Sequence, residues 1–404
     1  MLKKTIYLSA AAILLAASSA SAAETSGAAA RRPEQKEPAV ISAGNSFAFK
    51  LYKRLATGDG NVFFSPYSIT VALAMTLEGA RGGTAAEMEK VLELPGEAAR
   101  RKFFAPDLDG IGDRLGVDIA NAFWADKTRK FLPRYVKLLK KDYKAAAFGA
   151  DFASATEKAR LEINAWTEKH TRGKIKDLFP ENSLTTLTRL VLVDAIYFKG
   201  DWETAFDKTK TSEADFFTTP ESTVTVSMME RTGKKARFNY AETDDLQLLE
   251  LPYKKGGLSM LVILPAQDGL KKLEEALSPE KLAAWKSELH SERVDVFLPK
   301  FILKARYSLP ETLAEMGMPT AFTKAADFSG MDGTKDLYIQ QVVHQGFVEV
   351  NEEGTEAAAA TGVSMALKSM PMPATQFRAD RPFLFLIQEQ ETGRILFLGR
   401  VQKP

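Results

Sequence analysis

Leu190-Val191-Leu192-Val193-Asp194-Ala195-Ile196-Tyr197-Phe198 is almost wholly apolar and rich in β-branched residues, with one carboxylate at its centre. A strand with one wet face alternates apolar and polar residues. A continuous apolar run of this length instead predicts a strand covered on both faces. Upstream lie helical patterns. Phe47, Leu51 and Leu55 recur at helical spacing and predict a helix over 42–57. Thr84-Ala85-Ala86-Glu87 reads as a capping box, with a helix to about Leu94 before Pro95. Pro133 suits the first turn of another helix with Leu138 and Leu139 facing inward, and a longer helix over 155–171 carries Ile163 and Trp166. Downstream, Leu246 to Leu251, Leu258 to Leu264 and Val294 to Leu298 read as strands. Phe383 to Glu389 and Ile395 to Val401 read as a hairpin about Glu391-Thr392-Gly393. Helices gathered early and strands gathered late predict an α+β fold.

The N-terminus reads as an export signal over residues 1–22. Lys3 and Lys4 precede an apolar run, Ile6 to Ala17, too short to span a bilayer comfortably, and Ala20-Ser21-Ala22 supplies a small-residue cleavage site. Residues 23–40, rich in Ala, Ser, Pro, Glu and Arg, are expected to be a flexible leader, and 41–404 one large domain with no second linker. The protein is therefore expected to be secreted or periplasmic, without a membrane anchor. The chain has 54 basic and 52 acidic residues, so removal of two lysines with the signal leaves it neutral, which argues against nucleic acid as a partner. Its lack of cysteine excludes disulfides, thiolate metal sites and a cysteine nucleophile.

Enzyme signatures are missing. The three histidines, His170, His290 and His344, form no His-Glu-x-x-His pair; no Gly-x-Ser-x-Gly elbow and no phosphate-cradling Gly-x4-Gly-Lys-Ser/Thr loop occur. Gly110-Ile111-Gly112 continues to Leu115 where a dinucleotide loop needs glycine. Neither a catalytic residue, a metal nor a cofactor is expected.

The most unusual segment joins two strand patterns, Leu337 to Val350 and Phe383 to Glu389. It runs Glu352-Glu353-Gly354-Thr355-Glu356, then Ala357-Ala358-Ala359-Ala360, Thr361-Gly362, Val363-Ser364-Met365-Ala366-Leu367 and Lys368-Ser369, and closes with Pro371 and Pro373. A loop this long within one domain is uncommon and usually functional. Two local conformations compete: an exposed helix capped by Thr355, or a small-residue strand able to slide between two others. In the second, Thr355, Ala357, Ala359, Thr361 and Val363 face a core while Glu356 faces water.

In Asn61-Val62-Phe63-Phe64-Ser65-Pro66-Tyr67-Ser68-Ile69, Thr171-Arg172-Gly173-Lys174-Ile175, Ala195-Ile196-Tyr197-Phe198-Lys199-Gly200-Asp201-Trp202, Ala326-Asp327-Phe328-Ser329-Gly330-Met331 and Phe377-Arg378-Ala379-Asp380-Arg381-Pro382-Phe383, the chain resembles a serpin from Ile41 to Pro404. The resemblance implies three β-sheets, about nine helices and an exposed reactive-centre loop. It implies a suicide inhibitor whose cleaved loop inserts into the main sheet and traps the acylated protease as a covalent 1:1 complex, the inhibitor itself being a monomer. Some members are not inhibitors, and a chaperone or carrier is the alternative. The hinge, Glu352 to Ala360, is small and free of proline, which is the inhibitory pattern. Family spacing counted from Glu352 sets the reactive bond at Lys368-Ser369, implying trypsin-like serine proteases, or lysine-specific cysteine proteases, as partners; Met365 or Leu367 would instead suit elastase-like or chymotrypsin-like enzymes.

Three further groups follow from the resemblance. Ser65, Ser68 and His344 match a polar shutter beneath the opening sheet, in which the family has Asn where this chain has Asp194. Asp194 is either a latch paired with His344 that weakens on acidification or an exchangeable core residue. Trp202 matches the breach, where the loop first inserts, and Lys300 with Glu352 matches an ion pair there. Arg100-Arg101-Lys102 carries too few charges for a polysaccharide site and reads as a solvated turn.

Overall fold

Leu190–Phe198 is a strand with all nine residues buried. The computed structural model describes residues 38–266, 269–355 and 375–404. The expected signal peptide, nearly all of the leader, and Glu356, Ala357, Ala358, Ala359, Ala360, Lys368 and Ser369 lie outside the described residues. Strands of the sheet around Leu190–Phe198 are numbered β1 (Val117–Asp126), β2 (Ala146–Ala150), β3 (Leu190–Phe198), β4 (Gly200–Asp201), β5 (Phe301–Ser308), β6 (Gln341–Asn351) and β7 (Gly354–Thr355). They run β2-β1-β3-β6-β5, with β3 and β6 parallel and β5 and β6 antiparallel. Beyond Phe347 the pairing of β6 with β3 stops. There Val350 and Asn351 meet Thr355 and Gly354 of β7, which pairs in turn with β4.

The unbroken apolar run of β3 is explained by two cores. Leu190, Leu192, Ile196 and Phe198 join the main core, whereas Val191, Val193 and Ala195 join a smaller one with Ile163, Phe179 and Ile175. Ile163 belongs to the helix Thr156–His170, which therefore covers one face of the sheet. Asp194 lies among the even-numbered residues and faces the main core.

Of the remaining ten strands, nine form one hydrogen-bonded path and the tenth, Thr375–Arg378, pairs beside it with His290–Pro299. His290–Pro299 pairs through His290 to Arg293 with Arg237–Glu242, and through Val296 to Pro299 with Ser222–Arg231. It is the strand shared by two sheets, so the molecule has the three sheets and mixed α+β architecture expected. Eleven α-helices are described against about nine anticipated; Ile111–Leu115, Pro310–Glu315 and Ser329–Asp332 are single turns or little more. Among the described residues no helix is long and apolar enough to cross a membrane.

The longer early helices are α1 (Ala39–Leu55), α2 (Pro66–Leu77), α3 (Gly82–Leu92), α4 (Glu97–Asp107) and α5 (Pro133–Asp142). Four local expectations change. Helix α1 begins at Ala39, so Val40, assigned to the leader, is buried in the core. Thr84 does not cap α3, whose first turn starts two residues earlier. The Thr84 hydroxyl accepts from the Asp327 N–H at 2.9 Å, and Glu87 receives the Thr320 N–H and hydroxyl. A sequence that reads as a local cap serves instead to tie α3 to chain some 240 residues away. Arg100 and Arg101 are no solvated turn: they lie on α4 and converge on the fully buried Glu78, which also accepts from the Tyr143 hydroxyl at 2.8 Å. The strand pattern over Leu337 to Val350 shortens too, since β6 starts at Gln341.

Candidate functional site

β3 and β6 pair in parallel along one seam from Gln341 to Phe347. At its middle, His344 and Asp194 are register partners across the seam. His344 Nδ1 and Asp194 Oδ2 are 2.8 Å apart, and both side chains are essentially inaccessible. The Ser65 backbone N–H donates to His344 Nε2 at 3.0 Å. A backbone N–H can only donate, so Nε2 is the acceptor nitrogen and Nδ1 carries the proton given to Asp194. The other carboxylate oxygen accepts from the Ser68 hydroxyl. Pro66 at the start of α2 fixes that helix's first turn, and Ser65 caps it by accepting from the Ser68 N–H at 3.1 Å. The Ser65 hydroxyl donates to the Leu396 carbonyl at 2.7 Å. The four shutter residues named from sequence thus meet in one place.

Two members of this cluster were not anticipated. Asn121 on β1 is the register partner of Asp194, and Tyr307 on β5 that of His344. Asn121, Asp194, His344 and Tyr307 therefore form one polar row across four adjacent strands. Asn121 lies 3.5 Å from the Ser68 hydroxyl, and the Tyr307 hydroxyl accepts from the Phe63 N–H at 3.3 Å. A lone Asn or Tyr in an apolar strand signals such a row only once strand pairing is known.

At the end of the seam the contacts are made mainly by backbone. Trp202 N–H donates to the Glu353 carbonyl (2.9 Å), Phe206 N–H to the Glu352 carbonyl (2.7 Å), and the Trp202 indole N–H to the Asn351 carbonyl (3.0 Å). Trp202 stacks on Tyr253 at 4.6 Å between ring centres, and the Tyr253 hydroxyl is 2.9 Å from that of Thr355, which is fully buried. Gly354 has φ +151°, a value side chains rarely permit, and a Cβ there would lie 2.6 Å from Asp201 Cα and 2.8 Å from Trp202 N. Lys300 Nζ lies 3.0 Å from Glu352 Oε2, and Thr211 donates to Oε1 at 2.8 Å. Burial alone would raise the Glu352 carboxyl. Its backbone N–H, the Thr211 hydroxyl and Lys300 outweigh that and hold it below the usual carboxylate range. Glu353 pairs with Lys208. Trp202, Lys300 and Glu352 are thus brought together, and Glu352 to Thr355 of the hinge are seated against them. Thr355 sits in a strand pair rather than on an exposed helix; the hinge from Glu356 onward lies outside the described residues. Among the described residues no cluster of three or more His, Asp or Glu is placed to hold a metal.

Residues 42–404 match the family model described as "Serpin (serine protease inhibitor)". The chain is 43% identical over 376 residues to the leukocyte elastase inhibitor of Bos taurus, covering 90% of this chain and 99% of that protein. It is 42% identical over 379 residues to an uncharacterized serpin-like protein of Thermococcus kodakarensis, covering 92% and 87%. Among solved structures, human thyroxine-binding globulin complexed with its ligand superposes with a TM-score of 0.83 at 32% identity, covering 90% of this chain and 98% of that one.

Proposed function

This chain belongs to the serpin family, and on that premise we propose that it is a single-use inhibitor of trypsin-like serine proteases, with Lys368-Ser369 as the bond attacked. The observation that carries this reading is the seam. β3 and β6 are paired directly from Gln341 to Phe347, and the Gly354–Thr355 hinge is seated where they part. The chain beyond it is small enough in sequence to follow as a strand.

In the proposed cycle the protease's own serine oxygen bonds to the Lys368 carbonyl carbon. The Lys368–Ser369 peptide bond breaks, and the Ser369 nitrogen leaves as an amine carrying the proton delivered by the protease. The inhibitor contributes no catalytic group. Cleavage frees the segment after Thr355 to continue β7 between β3 and β6, pulling the acylated protease with it and distorting its active site before water can release it. A new central strand makes ten or more ladder hydrogen bonds at about 0.5–1.5 kcal/mol each, so insertion releases on the order of 10 kcal/mol. Stored strain of this kind is a known switching device, serpin loop insertion being the standard example. The export signal read at residues 1–22 directs the inhibitor to proteases outside the cytoplasm.

Incubation with trypsin followed by a denaturing gel tests the proposal. A complex stable in SDS, with cleavage after Lys368 by mass mapping and none formed by Lys368→Ala, is expected. Turnover of the chain without a stable complex would leave the chaperone or carrier reading. The cleaved protein should also melt well above the intact one; equal melting temperatures would remove the stored energy the cycle needs.

A further inference from the structure

Away from the seam, cations from three separated stretches of sequence converge on one cleft. It has a volume of about 390 Å³ and is lined by Arg81, Arg101, Arg134, Lys137 and Lys141. Carboxylates are present too, but most are already matched. Glu78 is buried beneath Arg100 and Arg101, and Glu97 pairs with Arg101 at 2.6 Å. Among the described residues, Arg81, Arg134, Lys137 and Lys141 make no ion pair, and Asp142 is the one lining acid without one.

Helix stability does not account for this arrangement. Lys141 lies in the last turn of α5, where the helix dipole favours a cation, but Arg134 lies in the first turn, where it disfavours one, and that turn has no acid. Arg134, Lys137 and Lys141 share one face at i, i+3 and i+7, so at 1.5 Å rise per residue they span about 10 Å along the cleft. Arg81 lines the same cleft and is held in place by its bonds to the Glu78 and Ala80 carbonyls. A guanidinium held by backbone carbonyls in one cleft with a row of exposed cations suits groups with several acceptor oxygens, for which the arginine fork supplies paired donors.

We propose that this cleft binds a compact anion carrying two or three phosphate groups. A concave site of this volume accommodates a small molecule, whereas a long polyanion is served by a flat stripe. The site lies apart from the seam and needs neither the reactive loop nor a protease.

The test is calorimetric titration of the intact chain with inorganic tripolyphosphate at about 0.15 M ionic strength, where attraction between exposed charges more than about 8 Å apart is screened. Binding at one site per chain is expected. The K137E/K141E variant should weaken it at least about tenfold while trypsin trapping is unchanged, which also reports that the variant folds. R134A, a milder change, should weaken it severalfold. K234E/K235E, reversing two exposed lysines elsewhere, should bind as the parent does. No binding, equal loss in K234E/K235E, or binding of dextran sulfate but not tripolyphosphate would overturn the proposal.

Discussion

The seam between β3 and β6 is held in different ways at its middle and at its end. At the middle the contacts run mostly between side chains, His344 to Asp194 and Asp194 to Ser68, with the Ser65 backbone N–H donating to His344. At the end they run mostly to backbone, through the carbonyls of Asn351, Glu352 and Glu353 and the tight approach of Gly354 to β4. A side-chain latch answers to charge and hydrogen-bond chemistry, and a backbone socket answers to shape. The two ends of the seam should therefore fail to different substitutions.

Asp194→Ala should have the largest effect. It leaves the buried His344 Nδ1–H without an acceptor and the buried Ser68 hydroxyl with only Asn121 Oδ1 at 3.5 Å. Breaking a buried pair in this way costs about 3–5 kcal/mol, and chemical denaturation should register it. Gly354→Ala comes next and acts by shape alone. The methyl group collides with Asp201 and Trp202, and its φ lies outside what alanine tolerates. A loss of about 1–3 kcal/mol is expected, confined to the socket. Hydrogen exchange should speed at Trp202 and Phe206, whose N–H groups bond the hinge, and stay unchanged at Ser65. Equal acceleration at Ser65 would mean the two ends are one cooperative unit and the contrast false.

The sequence made the seam's residues nameable but not its contacts. β3 was legible to the residue because burial on both faces leaves an uninterrupted apolar run, and the hairpin Phe383–Glu389 and Ile395–Val401 because a Gly-containing turn separates two such runs. Ser65, Ser68, Asp194, His344, Trp202, Lys300 and Glu352 were available only through family resemblance, since they span nearly 290 residues of chain. Asn121 and Tyr307 stayed hidden because register decides who faces whom, and register between distant strands leaves no local mark. Thr84 and Arg100 misled for the opposite reason. Each fits a local pattern, and each is used by a distant partner: Asp327 in one case, Glu78 in the other.

Asp194→Asn sharpens the comparison from the chemical side. An amide can still accept from His344 Nδ1–H through its oxygen while its nitrogen donates to the Ser68 hydroxyl oxygen, so stability at neutral pH should change by less than about 1 kcal/mol. Denaturation that registers a loss well above this would mark Asp194 as a specific partner of His344 and Ser68; an unchanged midpoint would make it an exchangeable core residue.

The smallest effect is expected at Glu352. Its carboxyl is held below its ordinary value of 4.5 by its backbone N–H, Thr211 and Lys300, against the opposing effect of burial. A carboxyl with a depressed value in the folded state contributes stability that is fully present above its unfolded value. That contribution is lost as pH falls from about 4.5 through the lowered folded one. Lys300 is 40% exposed, so solvent screens the pair and the contribution is below about 1 kcal/mol. Glu352→Gln should therefore leave the protein nearly unchanged at pH 7 and flatten its response only below about 4.5. The change should be seen in exchange at the Phe206 amide, which bonds the Glu352 carbonyl, before it is seen in global melting.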